Sequence, residues 1–188
     1  TMENFKAMMQ MAKQEKVDLM ALVGDIVNYP SATAVEFVRS VVETAGIPHI
    51  YTAGNHDWHY EGMKGSSDEL RKEWCEKRLK PLYTGENLFY SSDIVGGINM
   101  VTIDNSTYQV NEEQLAFFRD QLKRPEPVAL FVHIPLYMQS MRMCSGHPEW
   151  GAATDKNHEI ERRERWPVAG NKPSTAAFVK EVMTAKKL

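Results

Sequence analysis

Cysteine is scarce: the chain has two, Cys75 and Cys144, far apart and in neither a metal-binding nor a redox spacing. That argues against a disulfide-stapled scaffold and a thiolate metal site, and leaves two unpaired thiols. Long apolar runs are missing as well. Stretches such as Val128 to Val132 fall far short of the roughly 20 residues that span a bilayer. Nor is there an excess charge of one sign. Lys and Arg total 22 against 25 Asp and Glu, a net charge of −3, which argues against nucleic-acid or membrane-surface binding as the main activity. No internal repeat or low-complexity linker divides the 188 residues, and 43% of them are hydrophobic, enough for one domain with a real core.

What is present alternates between two periodicities. Phe5, Met8, Met9 and Ala12 fall at helical spacing and predict a helix over 3–16, with the methionines as core packing. A second helix is expected over 33–45, opened by a Thr33/Glu36 capping box and stopped at Gly46. A third is expected over 67–80 behind a Ser66/Glu69 capping box. Strands over 88–94 and 98–104, joined through Gly96-Gly97, predict an antiparallel hairpin. A helix follows over 112–123, and a last one over 174–186, capped by Ser174 behind Pro173. From 138 to 173 no period is evident, apart from a possible short surface helix at 157–165. A loop of that length reads as an insertion near the active-site edge or as a surface loop with no role. The pattern is that of an α/β protein with mixed sheets.

Three apolar runs each end at once in polar, ligand-type residues. Leu19 to Val23 runs into Gly24-Asp25, Ile50 to Ala53 into Gly54-Asn55-His56-Asp57, and Val128 to Val132 into His133-Ile134-Pro135. Taken singly, Asp25 reads as a turn residue and His133 as a core histidine. Taken together they share a placement, because the carboxyl ends of strands in an open α/β sheet gather along the edge where such folds bind ligands. Asp25, Asn55 and His133 would then supply a carboxylate, an amide oxygen and an imidazole, a mixed oxygen and nitrogen set suited to Mn, Fe or Zn. Asp104-Asn105, at the end of the second hairpin strand, reads as structural or rim.

These blocks, in this order and spacing, resemble three of the five motif blocks of the calcineurin-like metallophosphoesterase family. The resemblance implies a four-layer α/β/β/α sandwich and hydrolysis of phosphomonoesters or phosphodiesters by a water that two metal ions activate. It places Asp25 between the two ions and Asn55 and His133 on the second. His56 would face the phosphate and assist the leaving group, and Asp57 would orient His56. The expected partner is a phosphoester substrate. The alternatives are a phosphoesterase-like binding module without catalysis, and an unrelated α/β domain.

The family's first block, Asp-x-His, does not precede Asp25, and its last, Gly-His-x-His, is not found after the final helix. Gly146-His147-Pro148-Glu149 is no substitute: Glu149 stands for the second His, Pro148 would disturb a strand, and no apolar strand precedes it. His147 and His158 are assigned to a loop near the substrate or to a solvated one. The expectation is therefore a single incomplete domain over 1–188, lacking the first strand and the last motif strand. Two divalent or trivalent ions belong to the complete domain and at most one to this chain. With added Mn or Zn, residues 1–188 should retain no more than one ion per chain after desalting, as read by elemental analysis. Two tightly held ions would show that other residues complete the site.

Overall fold

The structure is a computed structural model that describes residues 2–60, 62–136 and 171–188. Strand β1 (Met20–Val23) pairs in parallel with β2 (His49–Thr52), from Met20 opposite His49 to Val23 opposite Thr52. Between them runs helix α2 (Ala32–Ala45), the crossover that a parallel pair requires. Strands β3 (Tyr90–Val95) and β4 (Ile98–Ile103) form the expected hairpin, closed by the pairing of Val95 with Ile98. Gly96 and Gly97 both have positive φ, 58° and 81°, which a two-residue turn matching the strand twist demands. Strand β5 (Val128–Phe131) then joins β4 in parallel, from Asn99 opposite Val128 to Thr102 opposite Phe131. The result is a mixed α/β architecture with one parallel pair and one mixed sheet of order β3-β4-β5.

Two apolar clusters back these sheets. Helix α1 (Met2–Gln14) and α2 pack with β1 and β2 through Met9, Leu22, Val35, Val38, Val42 and Tyr51. Helices α5 (Glu112–Leu122) and α6 (Pro173–Thr184) pack on the other sheet, where Phe118 and Phe178 are both fully buried with ring centroids 4.9 Å apart. Of the methionines at helical spacing in α1, Met9 is buried and Met8 is exposed, so the predicted methionine stripe reduces to one anchor beside Phe5. Among the described residues no helix is long and apolar enough to cross a membrane.

Several boundaries differ from expectation for local reasons. Helix α2 begins at Ala32 with Ser31 as its cap, the Ser31 hydroxyl accepting from Ala34 N at 3.1 Å. Glu36 instead pairs with Arg39, one turn on. Behind its Ser66/Glu69 capping box, helix α4 (Ser67–Trp74) is shorter than predicted. The chain widens into a π turn over Cys75–Leu79 and tightens into a 3₁₀ turn over Lys80–Leu82, since Pro81 has no N–H to continue the ladder. Ser174 caps nothing. It lies inside the first turn of α6 and donates to Val110 O at 2.8 Å, while Thr175 Oγ1 accepts from Val110 N at 2.9 Å, stitching α6 to the segment after β4. The expected loop at 138–173, with its helix at 157–165 and with His147, Glu149 and His158, lies outside the described residues except at its end, where Pro173 begins α6.

The capping correction is directly testable. Ser31→Ala should cost about 1 kcal/mol in urea denaturation, because one N–H of the first turn loses its acceptor. Thr33→Ala should stay within about 0.5 kcal/mol.

Candidate metal centre

Parallel pairing puts the carboxyl ends of β1 and β2 side by side, and likewise those of β4 and β5. The three polar clusters that follow β1, β2 and β5 meet at that edge. Asp25 leaves β1 on a left-handed backbone, φ 54°, directly after Gly24 at φ 79°. Asn55 opens a short helical turn, α3 (Asn55–Trp58), behind Gly54. His133 lies two residues past β5.

The segments approach too closely for side chains at the two glycines. A Cβ on Gly24 would stand 2.5 Å from Gly54 N and 2.5 Å from His133 Nδ1. One on Gly54 would overlap the Asp25 carboxylate and backbone N, and stand 2.7 Å from His133 Cε1. Glycine here is a packing requirement between backbones, in addition to the turn at Gly24.

His133 Nδ1 lies 2.9 Å from the Val23 carbonyl. A carbonyl only accepts, so Nδ1 carries the proton. Nε2 then faces Asn55 Oδ1 at 3.2 Å and Asp25 Oδ1 at 3.3 Å. Neither oxygen can donate, so three electron-rich atoms converge on one point and only a cation relieves them: a proton on Nε2 or a metal ion. The pKa directions agree. Burial acts to lower the His133 pKa, but the Asp25 carboxylate and the bond to Val23 outweigh it and hold it above the ordinary imidazole value. Burial acts to raise that of Asp25, but His133 and the His56 N–H, 3.0 Å from Asp25 Oδ1, hold it below the ordinary carboxylate range. An imidazole nitrogen, an amide oxygen and a carboxylate are a donor set of the type that could hold one such cation. Asp25, with 38% of its side chain exposed, leaves the point open to solvent. Among the described residues no group of three His, Cys, Asp or Glu side chains forms. This cluster contains two, Asp25 and His133, and the Asn55 amide is the third donor.

The profile of the calcineurin-like phosphoesterase family matches residues 1–167. The chain belongs to that family. Among solved structures it is similar to a dimetal phosphatase from Danio rerio, at 13% identity and a TM-score of 0.53, over 72% of this chain and 60% of that one. At that identity the likeness is one of fold, and the chain spans 60% of the length of that structure. No curated protein matches the chain.

Within this family member the Asp57 carboxylate is placed differently from expectation. It is fully buried, and four donors surround it. Its Oδ2 accepts from Asp25 N at 2.9 Å, Gly54 N at 2.8 Å and the Tyr51 hydroxyl at 2.9 Å, and its Oδ1 accepts from Val27 N at 2.8 Å. None of these bonds goes to the His56 ring, which points out from an exposed residue. Asp57 therefore ties the loop after β1 to the loop after β2, and the described bonds of its carboxylate go to those loops and to Tyr51, where the expectation had set it against the His56 ring. The physical reason is direction: adjacent residues on a helical turn face apart, one inward and one to solvent. Burial pushes the Asp57 carboxyl up, while the N–H groups of Val27 and Gly54 and the Tyr51 hydroxyl pull it down. Burial and the Asp57 charge raise Tyr51 well above the ordinary phenol value, keeping it a donor.

Sequence reasoning missed Tyr51 and the Val23 carbonyl. Asn105 was read as structural or rim, and the structure bonds it to the backbone of His133 and Ile134. Tyr51 and Val23 carried no signal, being apolar-strand residues that the fold turns to polar use. Asp57→Asn in the metal-free protein should lower stability by about 2–4 kcal/mol, because an amide NH₂ would replace an acceptor among buried donors. His56→Ala should leave stability within about 0.5 kcal/mol. Urea denaturation of both variants separates a loop-tying Asp57 from one that serves only the His56 ring.

Proposed function

We propose that the protein hydrolyses phosphoesters, monoesters or diesters, with Asp25, Asn55 and His133 holding a divalent or trivalent metal ion of the Mn, Fe or Zn type. The observation that carries this reading is the convergence of His133 Nε2, Asn55 Oδ1 and Asp25 Oδ1, with the other ring nitrogen committed to Val23. Family membership and a dimetal phosphatase of the same fold support it. By family resemblance Asp25 also serves a second ion.

Asp25, Asn55 and His133 would hold the ion, which when bound would supply positive charge against phosphoryl oxygens and acidify water near neutral pH. The chain's own residues supply the rest. Val23 fixes the His133 tautomer, so that Nε2 is the ligand atom, as outer hydrogen bonds do in histidine metal sites. Gly24 and Gly54 let the two loops close to contact, which brings Asn55 and Asp25 onto the same point. His56 has its backbone N–H anchored on Asp25 and its side chain open to solvent, free to meet a substrate's leaving oxygen and give it a proton. Proton donation of that kind is worth about 10²–10⁴ in rate. Asp57 supports both loops from beneath without touching the reacting groups.

In the full-length protein, His56→Ala should lower kcat on an aryl phosphate by about 10²-fold or more, with metal content unchanged by elemental analysis. Asp25→Ala should lose metal and activity together. Loss of metal from His56→Ala would make His56 a ligand and overturn the assignment.

A further inference from the structure

We infer that Asn105 is a positioning residue for this centre: its side-chain amide sets where His133 stands and thereby tunes metal affinity. The inference rests on the reading of His133 as a ligand. The backbone ladder between β4 and β5 ends at the pair Thr102 and Phe131. His133 lies beyond that pair, where no strand pairing holds the chain. Asn105 takes over. Its Oδ1 accepts from His133 N at 3.1 Å and from Ile134 N at 2.9 Å, and its Nδ2 donates to Ile134 O at 2.7 Å. Three bonds from one side chain thus continue the sheet onto the residue that carries the ring. The ring itself is held from the other sheet's side, by Val23 at Nδ1 and by Asn55 and Asp25 at Nε2, so among the described residues Asn105 is the side chain that fixes the backbone beneath it.

The support under Asn105 is rigid. The residue is 4% exposed, and its carbonyl accepts from Tyr108 N at 2.7 Å. Its neighbour Asp104 is fully enclosed: its backbone N donates to Phe89 O at 2.9 Å, and its Oδ1 accepts from Ser106 N at 2.8 Å and from the Ser106 hydroxyl. The Ser106 oxygen in turn accepts from Trp58 Nε1 at 2.9 Å, and Trp58 closes the turn that begins at Asn55. One buried chain of bonds therefore references Asn55 and His133 to the same end of β4. Outer groups of this kind change metal affinity by about 10–100-fold when removed.

The test measures Mn²⁺ affinity by equilibrium dialysis on the full-length protein, alongside thermal unfolding. Asn105→Ala should weaken Mn²⁺ binding by about 10–100-fold. The control is Asn99→Ala, which removes another buried amide of β4, bonded to Gln121 at the far end of the strand. It should lower the melting temperature with no more than a few-fold change in Mn²⁺ affinity. Asn105→Asp keeps both N–H acceptors and loses the donor to Ile134, so its affinity should fall between wild type and Asn105→Ala. A folded Asn105→Ala that binds Mn²⁺ like wild type overturns the inference. If Asn105→Ala does not fold, Asn105→Asp decides: weakened binding in a folded protein supports the inference, and wild-type affinity overturns it. His133→Ala reports on the underlying reading separately, because unchanged Mn²⁺ binding there would remove His133 as a ligand whatever Asn105 does.

Discussion

The buried carboxylate of Asp57 is the constraint on which the rest of the site depends. It gathers N–H groups from Asp25, Val27 and Gly54 and the hydroxyl of Tyr51, so one side chain ties together two loops and the strand between them. Burying a charge costs several kcal/mol, and a lone buried carboxylate would lose that contest. Four charge-assisted hydrogen bonds, each worth about 1.5–3 kcal/mol, offset part of the cost, and burial still holds the carboxyl above the ordinary carboxylate range. The fold therefore tolerates the carboxylate only while all four donors are in place. That condition forces the loops after β1 and β2 into one arrangement, the same one that sets Asp25 beside Asn55.

A second buried polar group aligns the other half. Arg71, on α4, reaches Asp104 at the end of β4, 3.6 Å from its Oδ1, and lies over the Phe89 ring at 4.5 Å. Among the described residues Arg71 Nε and Asp104 Oδ2 have no hydrogen-bond partner, so the pair is an incomplete one and its value lies in registration more than in net stability. Burial pushes the Asp104 carboxyl up, and the Arg71 guanidinium and Ser106 pull it down. Gln114 of α5 donates to the Asp104 carbonyl at 2.6 Å and to the Phe89 carbonyl at 3.0 Å, which adds α5 to the same junction. Helices α4 and α5 and strand β4 are thus referenced to a single buried point, from which Asn105 holds the His133 segment.

Much of this was legible in the residues. The three strand-end clusters, the Gly96-Gly97 turn, the Ser66 cap and the Gly46 stop each follow from a local signal. Hydrophobic period, turn chemistry and capping are properties of a few consecutive residues, and the structure bears these out. The misreadings share a cause as well. Thr33 and Ser174 have the chemistry of caps, but Ser31 takes the first role and packing against Val110 claims the second. Met8 has the hydrophobicity of a core residue and the wrong angle on α1. The helix predicted over 67–80 stops before Pro81, as it should, but no local signal gave the change from α to π winding at Cys75.

Sequence by itself determined the mixed α/β class and singled out Asp25, Asn55, His56, Asp57 and His133 as candidates, because ligand-type side chains directly after apolar strands are a local pattern. Only the tertiary structure decided what each does with its neighbours. Asp57 was written next to His56, yet the short turn sends one inward and the other out. Val23, Tyr51 and Asn105 acquired polar roles from partners as distant as His133, 110 residues from Val23 along the chain. Such pairings are set by which strands pair and in what register, and that depends on the packing of the whole sheet and not on any short stretch of it.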